Sequence, residues 1–338
     1  MWSTGILYSI SILPLLLGSG LAFGQVVPAP EPVVIGVLDP AGASLTAGAE
    51  AAVRDANADG GVRGHAVVLR PIAAADPWKD GAAAVARFLA SEPRVLALLA
   101  PADGAASHVV VQAATRLRVP ILTASPERSL TQAKDPWVFR VVPDDEAQAE
   151  ALLRWVFPEP KGRSAELVVP DGREGRERLR SLREACRALG VREASSGEDA
   201  DAVLLWLDPE TALDWFAKKA ANPPGLVLAS TRLDDPAFLR RAPPAAAGAA
   251  TPLLRAPRGS PAADWEEASG YDMAAAVLAA ARSEGLAPAA VRRGLARGGP
   301  WEGRSGSLAF DERGNRRGTP AVGVLEPGPA AAFVRKTP

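Results

Sequence analysis

From Val33 onward, short apolar runs alternate with segments of helical period. Val33–Leu38, Val67–Ile72, Val95–Leu99 and Val119–Thr123 are continuous apolar runs, the pattern of strands buried on both faces. Between the first two, Ser44 and Thr46 can cap a helix that runs through Ala49-Glu50-Ala51-Ala52-Val53 to about Asn57, and Gly60-Gly61 stops it. Asp76-Pro77 opens the next helix, which carries Ala84, Val85, Phe88 and Leu89 on one face, and a third helix is predicted over 104–116. Strands alternating with helices at this spacing predict an α/β fold, a parallel sheet with helices on both faces. Ligands of such sheets sit beyond the carboxyl ends of the strands, here Asp39–Ser44, Ala74–Trp78, Pro101–Ser107 and Thr123–Ser129.

A second cycle of the same alternation begins after a predicted helix at 144–156 and a Pro158–Gly162 linker. Strands are expected at Glu166–Val169, Asp201–Leu207 and Gly225–Ser230, with helices at 173–189, 209–220 and 235–241. Pro243 to Pro261 is rich in Ala and Pro and reads as a crossover. Helices 264–283 and 287–297 follow, and short strands Gly306–Phe310 and Ala321–Leu325 close the chain around an Asp311-Glu312-Arg313-Gly314-Asn315 turn.

Length and composition narrow the class. A chain of 338 residues, 48% apolar and 23% charged, suits two domains with ordinary cores. A net charge of −1 without a long basic run argues against a nucleic-acid or anionic-membrane surface. Residues 1–24 carry no Asp, Glu, Lys or Arg; an apolar core from Gly5 to Leu17 leads to Ala22-Phe23-Gly24, a small-x-small cleavage pattern with Gln25 as the mature start. The leader therefore reads as a signal peptide, an uncleaved anchor being the alternative, and the mature protein is expected to be exported. The single cysteine, Cys186, admits no intramolecular disulfide and reads as a small apolar residue.

The motifs Val33-Val34-Ile35-Gly36-Val37, Asn57-Ala58-Asp59-Gly60-Gly61-Val62-Arg63-Gly64, Val119-Pro120-Ile121-Leu122 and Phe139-Arg140-Val141-Val142-Pro143 occur in this order. Ser269-Gly270-Tyr271-Asp272 follows, then Trp301-Glu302-Gly303 and Ser307-Leu308-Ala309-Phe310-Asp311-Glu312-Arg313-Gly314-Asn315. Together they resemble the type I periplasmic substrate-binding proteins, and within them the leucine/isoleucine/valine-binding family of ABC importers. The resemblance implies two doubly wound parallel-sheet lobes joined by a three-crossing hinge: lobe 1 from 31–141 plus 262–316, lobe 2 from 142–261 plus 317–338. It also implies capture of a small polar solute, an amino acid or related compound, by a periplasmic monomer that hands it to an ABC permease in the inner membrane. No cofactor, metal or nucleic acid is expected. Between Gly190 and Asp201 relatives fit a strand and a further helix that this chain has little room for, so lobe 2 is short.

In such relatives, hydroxyls and free amides at helix starts hold a ligand carboxylate, and an acid of the second lobe takes its ammonium group. By that resemblance the ligand-binding candidates in lobe 1 are Ser44, Trp78, Asp103, Gly104, Ser107 and Ser125, and those in lobe 2 are Glu174, Trp206 and Asp234. Several have an ordinary alternative. Ser44 and Asp103 can be helix caps, Ser125 a turn serine and Trp206 a core residue. As a site residue, Asp103 would repel a carboxylate and welcome a cation or hydroxyls.

Enzyme motifs are missing. His65 and His108 are not spaced as metal ligands, and there is no Gly-x-Ser-x-Gly elbow or phosphate-binding glycine loop. A periplasmic sensor or accessory protein on the same fold is an alternative, since fold alone does not separate it from a transport protein, and a degenerate protein that binds no small ligand is another, given the short second lobe.

Overall fold

The computed structural model describes Met1 and residues 30–39, 44–74, 76–195, 198–219, 225–255, 264–326, 328 and 331–336, with only the backbone of Pro77 and Trp78. The expected signal peptide, Met1 apart, lies outside the described residues. Among those described, no helix is long and apolar enough to cross a membrane.

The first half of the chain forms β1 (Val33–Val37), α1 (Ser44–Ala58), β2 (Val67–Pro71), α2 (Pro77–Ser91), β3 (Val95–Ala100), α3 (Gly104–Leu117), β4 (Ile121–Thr123), α4 (Ser129–Gln132) and β5 (Val138–Arg140). Its strands are all parallel, in the order β2-β1-β3-β4-β5. Next come α5 (Asp145–Val156), β6 (Ser164–Val168), α6 (Gly172–Leu189), β7 (Arg192–Glu193), β8 (Ala202–Leu205), α7 (Pro209–Lys219), β9 (Val227–Ala229), α8 (Pro236–Arg241) and β10 (Ala250–Leu253). The chain then returns to the first sheet with α9 (Trp265–Glu284), α10 (Pro288–Arg297), β11 (Trp301–Gly303) and β12 (Gly306–Leu308). It ends in the second sheet with β13 (Ala321–Glu326) and β14 (Ala332–Lys336), giving the order β14-β13-β10-β9-β8-β6-β7. Neighbouring strands from β7 across to β10 run parallel, while β13 and β14 are antiparallel additions.

Both faces of each sheet are covered, which explains the unbroken apolar runs. In β1, Ile35 and Val37 pack with Leu45, Val53, Met273 and Val277, while Val34 packs on the opposite face with Val85, Leu98 and Val110. In the second sheet, Leu204 and Trp206 lie with Leu152, Leu182 and Cys186, and Leu205 and Ala229 lie with Phe216 and Phe238. Helices α1 and α9 approach at backbone distance: a Cβ on Gly48 would strike the carbonyl of Glu267, and one on Gly270 the carbonyl of Leu45. Glycine is unfavourable inside a helix, and the gain here is the close crossing it permits.

Three features correct the sequence reading. The segment expected as a plain crossover contains β10, masked in the sequence by Pro252. This strand pairs with β9 only at Ala250 and otherwise borrows its order from antiparallel β13. The short segment after Gly190 still makes a two-residue strand, β7, on the edge beside β6. The tail adds β14 beyond the expected last strand.

The chain passes between the sheets after β5, after β10 and after β12. Arg140, fully buried, anchors the first passage: it faces Asp144 at 3.1 Å and donates to the Arg128 carbonyl and the Thr131 hydroxyl. The Arg140 amide donates to the Gly314 carbonyl, and Arg316 donates to the Val141 carbonyl, so the first and third passages are stitched together. Arg255 grips Asp234 with two hydrogen bonds of 2.6 and 2.7 Å where the second passage begins.

Replacing Gly270 with alanine should lower stability by about 1–3 kcal/mol in urea denaturation, because α1 must move away from α9. An unchanged midpoint would mean that the two helices do not touch through their backbones.

Candidate functional site

A cavity of about 280 Å³ lies between the two sheets, at the carboxyl ends of their strands. Asp39 follows β1, Pro101 to Asp103 follow β3, and Trp265 and Glu266 open α9. From the other side come Glu174 and Arg178 of α6, Asp208 after β8, and Arg232 and Asp235 after β9. A narrow extension of the same crevice reaches Gly104, Ser125, Glu127 and Asp145. A larger cavity of about 510 Å³ lies among the three chain passages, around Pro143, Arg255 and Arg316. It opens on the hinge and not on the facing strand ends, so the smaller cavity is the candidate ligand site.

The floor of the crevice is an ionic network. Arg178, buried in α6, donates to the Trp206 carbonyl at 2.9 Å, to Glu174 at 2.7 Å and to Asp208 at 2.9 Å. Arg232 and the Trp206 indole both donate to one oxygen of buried Asp145, at 2.9 and 2.8 Å. Each guanidinium is thus already paired with carboxylates.

Glu127 makes one of the contacts between the halves, beside the Arg128–Glu146 ion pair at 2.6 Å. Its carboxylate lies against Gly104, the first residue of α3, at a place a Cβ on Gly104 would occupy. His108 and Ser129 bond to the same oxygen at 2.8 and 2.7 Å. Arg173 reaches across from α6 with both terminal nitrogens, at 3.3 and 3.4 Å. Burial by itself would raise the Glu127 carboxyl. The hydrogen bonds from His108 and Ser129, with the charges of His108 and Arg173, outweigh burial and bring it from 4.5 down to about 2.

Glu266 is shifted the other way. Burial raises it first, and the charges of Asp264, Asp39 and Asp235 add to this against the weaker pull of Arg232, bringing it up to about 7. Two other acids on the wall are helix caps. Asp103 accepts from the Ala106 amide at 2.6 Å, and Asp235 from those of Ala237 and Phe238 at 2.7 and 2.9 Å.

Of the residues singled out from sequence, Asp103 and Glu174 stand on the cavity wall, and Gly104 and Ser125 on its narrow extension. The others lie elsewhere for identifiable reasons. Ser107 is buried and donates to the Pro101 carbonyl, sharing a second bond with Thr123. Ser44 donates to Asp264 at 2.6 Å. Trp206 is a core residue whose indole faces Asp145, and Asp234 is turned into Arg255, leaving its neighbour Asp235 on the wall. The side chain of Trp78 lies outside the described residues. Sequence reading passed over Glu127, Arg178, Arg232 and Glu266. For Arg178 a signal existed: Glu174 stands one turn before it, and the pair faces inward.

Comparison with known proteins agrees with this architecture. The family model for periplasmic binding proteins matches residues 34–198. An ABC transporter substrate-binding protein from Desulfitobacterium hafniense superposes with a TM-score of 0.76 at 19% identity, covering 91% of this chain and all of that one. A leucine binding protein from Thermotoga maritima gives 0.72 at 18% identity, covering 89% and 97% of the two chains. A solute binding protein of an ABC transporter from Rhodopseudomonas palustris, in complex with 3,4-dihydroxybenzoic acid, gives 0.71 at 16% identity, covering 90% and 96%. No curated protein matches the chain by sequence. The family match spans just under half of the chain, and the superpositions show the same fold over about nine-tenths of it.

Because Glu127 is held below its ordinary value, the stability it supplies is present above about pH 4.5 and is lost as pH falls towards 2. Glu127→Gln should flatten the dependence of urea stability on pH between 5 and 2. An unaltered dependence would mean that Glu127 is not held by His108 and Arg173.

Proposed function

We propose that this chain, built on the type I periplasmic-binding-protein fold, is an extracytoplasmic solute-binding protein. It captures a small polar organic molecule between its lobes and passes it to an ABC permease in the inner membrane, as a monomer and without covalent chemistry. The lobes are taken as 31–141 with 262–316, and 142–261 with 317–338. The apolar leader is taken as a signal peptide removed near Gly24 and Gln25, which puts the protein in the periplasm.

One observation carries this reading: a crevice at the facing strand ends, walled from both halves by polar side chains. A solute touching both walls binds the closed arrangement better than an open one, so its binding energy drives closure. Arg173 on Glu127 is a closing contact that forms only when the halves meet. Solved structures of the same fold include one in complex with leucine and one with benzoate, so the fold accommodates solutes of this size.

A thermal-shift screen of amino acids, amines, aromatic acids and sugars tests the reading. A solute present at about a hundred times its Kd should add about 2.7 kcal/mol of stability. The same solute should reduce the radius of gyration in small-angle scattering. A screen in which no solute raises the Tm would overturn the proposal.

A further inference from the structure

Resting on the proposed function, we propose that the captured solute is a small organic cation without a carboxylate, an aliphatic amine or diamine, held by Asp103, Asp235 and Glu266. Two independent observations carry this. The first concerns anions. The start of α3, a helix of 14 residues, is one of the positively polarised helix ends in the crevice, and acids of the chain already stand at the starts of α8 and α9. The protein's own Glu127 carboxylate already lies against it, and His108, Ser129 and Arg173 are turned onto that carboxylate. The two arginines on the cavity wall are committed as well, Arg178 to Glu174 and Asp208, Arg232 to Asp145. A ligand carboxylate entering the crevice would have to displace one of these pairs.

The second observation concerns cations. Once Arg178 and Arg232 are assigned to their partners, Asp103, Asp235 and Glu266 remain on the wall with no ion pair to a cation among the described residues. They come from three separate places, the starts of α3, α8 and α9, so their convergence is made by the fold and not by one acidic stretch. Asp103 and Asp235 each spend one oxygen on a helix cap. Glu266 has no hydrogen bond among the described residues, although it is largely covered. Its upward shift reports the same thing: an ammonium group placed there would relieve both its burial and its repulsion from Asp264, Asp39 and Asp235. Asp39 also faces this space, so the wall is acidic from both halves.

The test is isothermal calorimetry on the mature protein at pH 8 with four probes: 1,5-diaminopentane, pentylamine, lysine and leucine. Lysine carries the same net charge as pentylamine and differs by its α-amino acid group, so the comparison isolates the carboxylate from overall charge. The expected order places both amines at least tenfold tighter than lysine and leucine. Raising the pH from 6 to 8 should tighten amine binding by up to about tenfold, as Glu266 ionises, with protons released on binding. Glu266→Gln should abolish that pH dependence and weaken the amines while leaving lysine and leucine unchanged. Tighter or equal binding of lysine or leucine overturns the cation assignment but leaves the solute-binding reading standing. Failure of all four probes also overturns it, and the broader thermal-shift screen then decides the solute-binding reading separately.

Discussion

One carboxylate sets the chemistry of the crevice. Glu127 follows β4 in a tight turn and brings its side chain back over the first residue of α3. There it meets His108 from the same half and Arg173 from the other. A buried carboxylate without such partners would take up a proton. With them it stays charged far into the acid range. It therefore acts both as a tie across the halves and as an occupant of the start of α3. What is left open in the crevice is determined by what Glu127 has already filled.

The fold positions these groups through features remote from them. The parallel sheets put their carboxyl ends face to face because each is covered on both sides and the chain passes between them three times. Gly48 and Gly270 let α1 and α9 cross at backbone distance, which fixes the start of α9 and hence Trp265 and Glu266 at the rim. Arg140 and Arg316 lock two of the passages by binding backbone carbonyls. The passages are also held by apolar residues, Val141, Val142, Leu254 and Phe310, which join the first core.

The sequence made much of the first sheet legible. Its central strands are apolar on both faces, and a run as short and continuous as Val95–Leu99 between helical segments reads as a buried parallel strand. The second sheet was less so at its edges. Pro252 hides β10, whose ladder is completed by a strand some seventy residues later, a pairing no local pattern reveals. For the crevice, the loops were legible and the orientation of side chains was not. Thr123–Ser129 reads as a strand end, yet the hydroxyls of Ser107 and Thr123 bond to each other and to Pro101, while Glu127 lines the crevice. Asp234 and Asp235 are adjacent in sequence and differ only in which one the second chain passage claims through Arg255. Such choices are made by distant partners, and a residue's type does not reveal them.

A crystal structure of the protein grown with 1,5-diaminopentane measures the central relation directly. The diamine should lie in the crevice with an ammonium nitrogen within hydrogen-bond distance of Glu266 and Asp235, while Glu127 remains over Gly104 and bridged to Arg173. A structure in which Glu127 has swung out, leaving the start of α3 to the carboxylate of a bound solute, would contradict it.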